Sequence, residues 1–331
     1  PESFFLKRGD AAQKIGPASP GFLQVLMPAA TVKSSAPLEA PWLVPPNANA
    51  KTSNRRHALA NWITDTDQGA GHLIARVIVN RLWQHHLGRG IVATPNDFGF
   101  QGERPTHPEL LDWLAGQLID NGWHLKPVHK LIMTSAVYRE STEHSTDQAR
   151  IDPQNQWWWK RPSHRLEAEI IRDQMLAVSQ QLDSTMFGPG SLDAKMKRRS
   201  IYFMIKRSRL IPMMQIFDSP EPLVSVASRP RTTIAPQALL FMNNIQVRGY
   251  AEGFSKRLAE TAEHSFADAV SQGYLVALAR QPDPAEREAG VQFIERQMKS
   301  YSDQNNPRAK HLALTDFCQV LMSLNEFIYV D

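Results

Sequence analysis

The stretch GHLIARVIVNRLWQHHLGRG at residues 71–90 gives the strongest indication of the fold. Its apolar residues recur at intervals of three and four, the spacing that places side chains on one face of an α-helix. The predicted buried face consists of Ile74, Val77, Ile78 and Leu82. Gly88 suits the end of such a helix, because glycine adopts the left-handed conformation at little cost. The stretch therefore predicts an amphipathic helix, typical of a mainly helical protein.

The same periodicity extends through most of the chain. Further helices are predicted from residue 53, over 106–122, from 127, and over 164–183, 235–260, 266–280, 284–300 and 309–324. Thr106 is the predicted N-cap of the helix over 106–122, because Glu109 stands three positions later, as in a capping box. The segment RRSIYFMIKR at 198–207 interrupts the helices. Its β-branched and aromatic residues predict a strand, a candidate partner for a strand over Glu2–Lys7.

Residues 1–50 differ in composition from the rest of the chain. They hold eight of the 23 prolines, and prolines at this density interrupt both helices and sheets. We therefore predict a mainly α, multi-helix globular domain over 51–331, with a small β element and a proline-rich N-terminal arm over 1–50. A candidate seam lies near 184–200, where glycine and proline precede the predicted strand.

Composition excludes several classes of protein. The chain has 331 residues, 42% hydrophobic and 21% charged, which is typical of a globular protein with a core. Its net charge of +4 is small, so we expect no nucleic-acid partner. The single cysteine, Cys318, excludes an internal disulfide, a cysteine-based zinc site and covalent haem attachment. Its apolar surroundings predict a buried thiol. No apolar run approaches the length of a membrane-spanning helix, so no transmembrane segment is predicted here.

Two adjacent histidines, His85 and His86, end the helix at 71–90. Neighbours on a helix point about 100° apart, so both rings cannot bind one metal ion from it. We expect no metal here and predict that His85 lies in the core, bonded to a carbonyl, with His86 at the surface. A metal site with His85, Asp97 and His107 as ligands would require the following loop to fold back.

The loop NDFGFQGERPTHPE at 96–109 is the predicted functional surface, because irregular loops of this length are usually functional or disordered. Asp97, His107 and Glu109 are candidates for general acid/base catalysis, since these residue types can exchange protons. In the alternative, the loop is scaffold, and Arg76 and Arg81 anchor it through carboxylates of the segment 97–103.

A second candidate site precedes the helix that begins near Pro236. The exposed amides and the positive dipole end of a helix N-terminus favour anions. The pattern predicts an anion site for a phosphate, a sulfate or a sugar acid, with four candidate residues: Arg229, Arg231, Thr232 and Thr233. The alternative is a buried salt-bridge network that fixes Asp218 and Glu221.

Three consecutive tryptophans, Trp157–Trp159, also allow two interpretations. They could stack on sugar rings, which makes carbohydrate a candidate partner. Alternatively, one ring packs inward while another stays half exposed.

Several long motifs follow one another in a distinctive order. They are RRHALANWITDTD at 55–67, ARVIVNRLWQHHLGRG at 75–90, DPQNQWWWKRPSHRLEAEIIRDQML at 152–176, FDSPEP at 217–222, RTTIAPQALLFMNN at 231–244 and SLNEFIYVD at 323–331. Over about residues 50–331 the chain resembles the planctomycete-specific domain of unknown function, the C-terminal part of large planctomycete proteins with cytochrome-c-like N-terminal regions. The resemblance implies export to the periplasm or cell envelope. It also implies an upstream cytochrome-c-like partner region in the same polypeptide, with any haem bound there and no cofactor in this chain.

These observations predict a binding or scaffold module that works with the upstream cytochrome-c-like region. The alternative is a hydrolase-type enzyme acting on polysaccharide, with its site in the 97–109 loop or at the Arg229/Arg231 cluster. The sequence leaves open whether the chain is an enzyme.

Overall fold

Helices form most of the chain in a computed structural model that describes residues 3–18, 21–27, 42, 52–223 and 225–330. The predicted mainly α fold with a small β element is therefore confirmed. Contacts divide the chain into two units. The first contains residues 1–140 and 147–159, and the second contains residues 141–146 and 160–331. The residues of the predicted seam, 184–200, lie within the second unit, and the predicted domain boundaries remain predictions.

The first unit is built around four helices, α1 Arg55–Thr64, α2 Gly71–Leu87, α3 Pro108–Asp120 and α4 Leu125–Thr134, and contains nearly all of α5, Thr146–Ile151. Strands β1, Phe4–Leu6, and β2, Lys14–Pro17, form an antiparallel hairpin. The predicted N-terminal strand is therefore confirmed over Phe4–Leu6. Its partner is β2 and not the segment 198–207. Much of the predicted proline-rich arm falls outside the described residues.

Helix α2 buries a different face from the predicted one. Its fully buried apolar residues are Ala75, Val79, Trp83 and Leu87, whereas the predicted face is only partly buried. Ile78 and Leu82 pack against the cluster that contains Trp83, while Ile74 packs against a separate cluster with Trp62. The helix is thus covered on more than one side, which explains why periodicity predicted the wrong face as the most deeply buried one.

The start of α3 also differs from the prediction. His107 is the N-cap residue and Pro108 begins the helix, where proline loses no helical hydrogen bond. Thr106 is held outside the helix, because its backbone amide donates to the Ile91 carbonyl at 3.0 Å. The predicted capping role of Thr106 is therefore wrong.

The described part of the second unit contains eight α-helices. They are α6 Ala168–Val178, α7 Pro212–Ile216, α8 Ala235–Asn243, α9 Ile245–His264, α10 Phe266–Leu278, α11 Pro284–Asp303, α12 Ala309–Ser323 and α13 Asn325–Ile328. Its core includes the fully buried rings of Phe217, Phe241, Phe254 and Phe327. Cys318 is buried as predicted. Strand β3, His164–Arg165, pairs antiparallel with β4, Tyr329–Val330.

The predicted strand at 198–207 is wrong. Residues Ser200–Tyr202 form a single 3-10 turn. The buried guanidinium of Arg172 donates to the carbonyl oxygens of Met196 and Arg198. The Asp173 carboxylate accepts from the Ser200 amide at 2.7 Å. Side chains of α6 therefore bind the Arg198 carbonyl and the Ser200 amide, while the Tyr202 carbonyl and the Met204 amide pair with the single residue Ser191 in an isolated bridge.

Among the residues that the structure describes, no helix combines the length and the apolar character needed to cross a membrane.

Candidate functional site

The two histidines at the end of α2 have the opposite burial to the one that the sequence predicted. His85 is exposed, whereas His86 is partly buried. The His86 Nε2 atom lies 2.8 Å from Nδ1 of His129 in α4. The His86 ring also packs edge-on against His129 and Tyr138. The predicted core position of His85 is wrong, because helix α4 covers the side of α2 that carries His86.

Among the described residues, the catalytic candidates Asp97, His107 and Glu109 form no hydrogen bond or ion pair with one another. The Asp97 carboxylate accepts from the backbone amide two residues later. His107 Nδ1 lies 3.0 Å from the Thr106 hydroxyl, and its ring packs edge-on against Trp157. Glu109 is exposed in the first turn of α3. Within the described residues, no group of three histidine, cysteine, aspartate or glutamate side chains could hold a metal ion.

The alternative prediction that Arg76 and Arg81 of α2 bind carboxylates of the segment 97–103 is wrong. Arg76 Nε donates to Asp112 Oδ1 of α3 at 2.6 Å. Arg81 Nη2 donates to the Asn96 side-chain oxygen at 2.6 Å. Arg81 thus does contact the loop, but through an amide, and Arg76 links α2 to α3 instead.

The loop between α2 and α3 is held by side-chain hydrogen bonds to its backbone. The buried amide of Asn80 donates to the Val92 carbonyl at 3.0 Å and accepts from the Val92 amide at 2.8 Å. The Thr94 hydroxyl donates to the Asp97 carbonyl at 2.8 Å. A Cβ atom at Gly102 would lie 2.1 Å from the Asp97 carbonyl oxygen, so this position requires glycine. The loop is therefore a defined surface without regular secondary structure.

The second candidate site contains Arg229, which already binds two carboxylates. Its Nη1 atom lies 2.7 Å from Glu169 Oε2 and 3.2 Å from Glu167 Oε2. Burial alone would lower the pKa of Arg229, but the hydrogen bond to Glu169 and the charges of both glutamates raise it overall. Arg229 is thus largely neutralised within the protein.

Both threonines before α8 also have partners. The Thr232 amide and hydroxyl donate to the Asp218 carboxylate at 2.8 and 2.9 Å. The Thr233 hydroxyl lies 2.9 Å from the Tyr329 hydroxyl. Asp218 is therefore fixed, as in the salt-bridge alternative, while Glu221 is exposed.

A buried arginine that the sequence reasoning missed stands beside these residues. Arg165 Nη2 donates to Asp218 Oδ2 at 2.5 Å and to the Phe217 carbonyl at 3.3 Å. Only 4% of Arg165 is exposed. Among the described residues, its Nε and Nη1 atoms find no hydrogen-bond partner.

Arg165, Arg229 and Arg231 line one cavity of about 10 Å³, and we call these three residues the arginine cluster. Glu167 and Asp218 line the same cavity. No ion pair to Arg231 is found within the described residues. Partial burial lowers the pKa of Arg231; Glu167 opposes this effect and Arg165 adds to it. Arg231 therefore supplies the positive charge that the cavity's own carboxylates do not neutralise.

The tryptophan run follows the structural alternative. Trp158 is buried and packs edge-on against Trp83. The Trp159 indole donates to the Asp152 carbonyl at 2.9 Å. Trp157 is 69% exposed. Trp157 is thus the most exposed of the three rings, although it already packs against His107.

No local signal could have identified Arg165. Helices α6 and α7 lie between Arg165 and Arg229 in the sequence. Arg165 reaches the cluster through the pairing of β3 with β4 and through its hydrogen bond to the Phe217 carbonyl.

A comparison with known families gives a match over most of the chain. A family model described as PSD1, protein of unknown function (DUF1553), matches residues 55–294, more than half of the chain. No curated protein and no solved structure matches the chain.

Proposed function

The chain belongs to the PSD1 family of proteins of unknown function (DUF1553), and we propose that it is a binding module whose second unit takes an anionic group at the arginine cluster. The observation that carries this proposal is the unsatisfied guanidinium of Arg165. A buried donor without a partner costs about 1–3 kcal/mol, so a bound acceptor would be stabilising. Arg165 is almost completely buried and lines the cavity, and two of its nitrogens find no hydrogen-bond partner among the described residues, although its guanidinium lies over the Phe217 ring at 5.3 Å from the ring centre.

The size of the cavity limits what can enter it. Its volume of about 10 Å³ corresponds to roughly one water-sized probe. One oxygen atom of an oxyanion can therefore enter, while the rest of the ligand stays at the surface near Arg231. A water molecule in the same place would satisfy Arg165 equally well, and it is the alternative that an experiment must separate.

The charges favour an anion that carries one negative charge. Asp218 binds Arg165, and Glu167 and Glu169 bind Arg229. The cavity lining itself holds three arginines and two carboxylates, Glu167 and Asp218, so Arg231 is the surplus cation of the lining, while Glu169 binds Arg229 from outside it. A carboxylate or a sulfate ester matches this balance better than a dianion, because a second negative charge would meet the three carboxylates.

The proposal includes the cellular context that is implied by the resemblance to the planctomycete-specific domain. In that context the module is exported, to the periplasm or the cell envelope, and works with an upstream cytochrome-c-like region of the same polypeptide, which would carry any haem. The anionic group would then belong to that region or to an acidic carbohydrate. The resemblance in sequence motifs is the support for this part.

Calorimetric titration of the whole chain with acetate, methyl sulfate and phosphate at constant ionic strength tests the proposal. We expect saturable binding of acetate or methyl sulfate, weakened about tenfold by Arg231→Gln, because a charge-assisted hydrogen bond contributes about 1.5–3 kcal/mol. Arg207→Gln is the matched control, since Arg207 is exposed and does not line the cavity. Equal binding by both variants, or no saturable binding, would contradict the proposal and favour water.

A further inference from the structure

The first unit contains a cleft beside the loop that joins α2 and α3. Its volume is about 290 Å³, close to the lower limit of small-molecule sites. The side chains of its apolar floor come from both helices and from the loop: Leu73, Val92, Pro105, Pro108 and Leu111. The remaining lining residues are Phe98, Arg76, Glu103 and Asp112. The cleft thus combines an apolar interior with an aromatic ring and three charged groups.

The wall of this cleft is preformed. The Glu103 amide donates to the Thr94 hydroxyl at 2.9 Å, and that hydroxyl donates in turn to the Asp97 carbonyl. Together with the two hydrogen bonds of Asn80 to Val92, these contacts fix both ends of the loop. A ligand would therefore bind without first having to order the backbone, and this lowers the entropic cost of binding.

The charges of the cleft do not balance. Arg76 and Asp112 form an ion pair at 2.6 Å. No cation pairs with the Glu103 carboxylate among the described residues. The cleft therefore carries a surplus negative charge, although the chain as a whole has a net charge of +4. Phe98 adds an aromatic ring to the lining, and the faces of aromatic rings attract organic cations.

We infer that this cleft binds an organic cation, an ammonium group on an apolar body. The apolar part would lie on the floor between α2 and α3, and the ammonium would lie between Glu103 and Phe98. A neutral sugar would also fit an apolar floor with a polar rim, but it would make no use of the surplus charge. This site lies in the first unit and goes beyond the anion site proposed for the second.

Benzylammonium and benzyl alcohol are suitable probes, because they have nearly the same shape and differ in charge. Titration of the isotope-labelled chain by heteronuclear NMR should show saturable shifts at the amides of Phe98 and Glu103. We expect benzylammonium to bind more tightly than benzyl alcohol, and added salt to weaken only the cation. Glu103→Gln should weaken benzylammonium about fivefold, the factor for one exposed ion pair, and leave benzyl alcohol unchanged.

Asp120→Asn is the matched control, because Asp120 is an exposed carboxylate at the end of α3, outside the cleft. N-acetyl-lysine amide distinguishes two sources of the cation. Binding comparable to that of butylammonium assigns the cleft to lysine side chains of a polypeptide, and weaker binding assigns it to a free amine. Equal affinities for the two benzyl probes, or equal effects of Glu103→Gln and Asp120→Asn, would overturn the inference.

Discussion

Replacement of Asp218 by Asn tests the arginine cluster most directly. The variant removes the charge that neutralises Arg165 and leaves the shape of the side chain nearly unchanged. Asp218 has a backbone φ of +60°, a left-handed conformation in which asparagine is as well tolerated as aspartate. Backbone strain therefore does not contribute to the expected effect, and the loss of the negative charge dominates it.

The expected magnitude follows from burial. Arg165 is 4% exposed and the Asp218 side chain 14% exposed, so the guanidinium left without its carboxylate stays out of water. Removal of one partner from a buried ion pair costs about 3–5 kcal/mol. Asparagine keeps an oxygen that can accept from Thr232, so we expect a loss of about 3 kcal/mol in the free energy of unfolding. With a urea dependence of about 2 kcal/mol per molar, the midpoint should fall by roughly 1.5 M.

The distribution of tryptophan makes the assay specific for the second unit. All eight tryptophans of the chain lie in the first unit. Tryptophan emission therefore follows the first unit, whereas far-ultraviolet circular dichroism follows the helices of both. During urea unfolding of Asp218→Asn, the dichroism transition should move and the emission transition should not.

Methyl sulfate should stabilise Asp218→Asn more than the unchanged protein, because the variant lacks an internal anion beside Arg165. The conservative control is Asp303→Asn, at an exposed position of the same unit. A midpoint shift below about 0.5 M would refute the reasoning, since it would mean that another group already compensates Arg165.

Three further outcomes are expected. The pKa of Glu286 is lowered from its usual 4.5 to about 2, mainly by the hydrogen bond from Arg280 and next by the hydrogen bond from the Asp283 backbone amide. Since this folded-state pKa is depressed, the stabilisation is complete above about pH 4.5 and is lost as the pH falls towards 2. Glu286→Gln should therefore be about 1 kcal/mol less stable than the unchanged protein at pH 7 and equal to it near pH 2, as measured by urea unfolding; a constant difference across this range would contradict the assignment. Asn80→Ala leaves the buried amide and carbonyl of Val92 unpaired, and it should destabilise the first unit by about 3 kcal/mol, seen as an earlier transition in tryptophan emission. Gly102→Ala places a Cβ atom 2.1 Å from a backbone oxygen of the same loop; its benzylammonium affinity should fall, and an unchanged NMR titration would show that the loop adapts.

Most helices could be predicted from the sequence, because their apolar periodicity is local. The face of α2 that is most deeply buried could not be predicted from the sequence. Its apolar residues surround much of the helix, and two separate clusters pack against it. Ala75 and Val79 are buried in one of them, while Ile74 faces the other. Periodicity indicates that a helix has a buried side, but neighbouring elements decide which side that is when several are apolar.

The predicted strand at 198–207 fails for a related reason. Its composition favours a strand, yet Arg172 and Asp173 bind the Arg198 carbonyl and the Ser200 amide, and residues 202–204 pair with the single residue Ser191 in an isolated bridge. Those side chains lie in α6, about 25 residues earlier in the sequence. Strand propensity depends on an available partner, and a single sequence does not reveal that the partner groups are already taken.

The candidate anion site could be predicted in part. Arg229 and Arg231 do line one cavity, as their closeness in the sequence suggested. The two threonines do not line it and bind Asp218 and Tyr329 instead. Arg165 was missed because its place in the cluster depends on contacts far apart in the chain. Whether this cavity binds an anion stays a prediction.

The short ladder between β3 and β4 has a consequence for synthesis of the chain. It joins Arg165 to Tyr329, so it closes a loop that includes almost the whole second unit. Closing so long a loop is entropically costly and depends on contacts that form in between. Translation proceeds from the amino end, so β3 is made long before its partner, and the core stays open until Phe327 is added. A nascent or truncated chain that stops before Phe327 would expose an unpaired strand and an unfilled core, two features by which quality-control proteases distinguish incomplete products from finished ones.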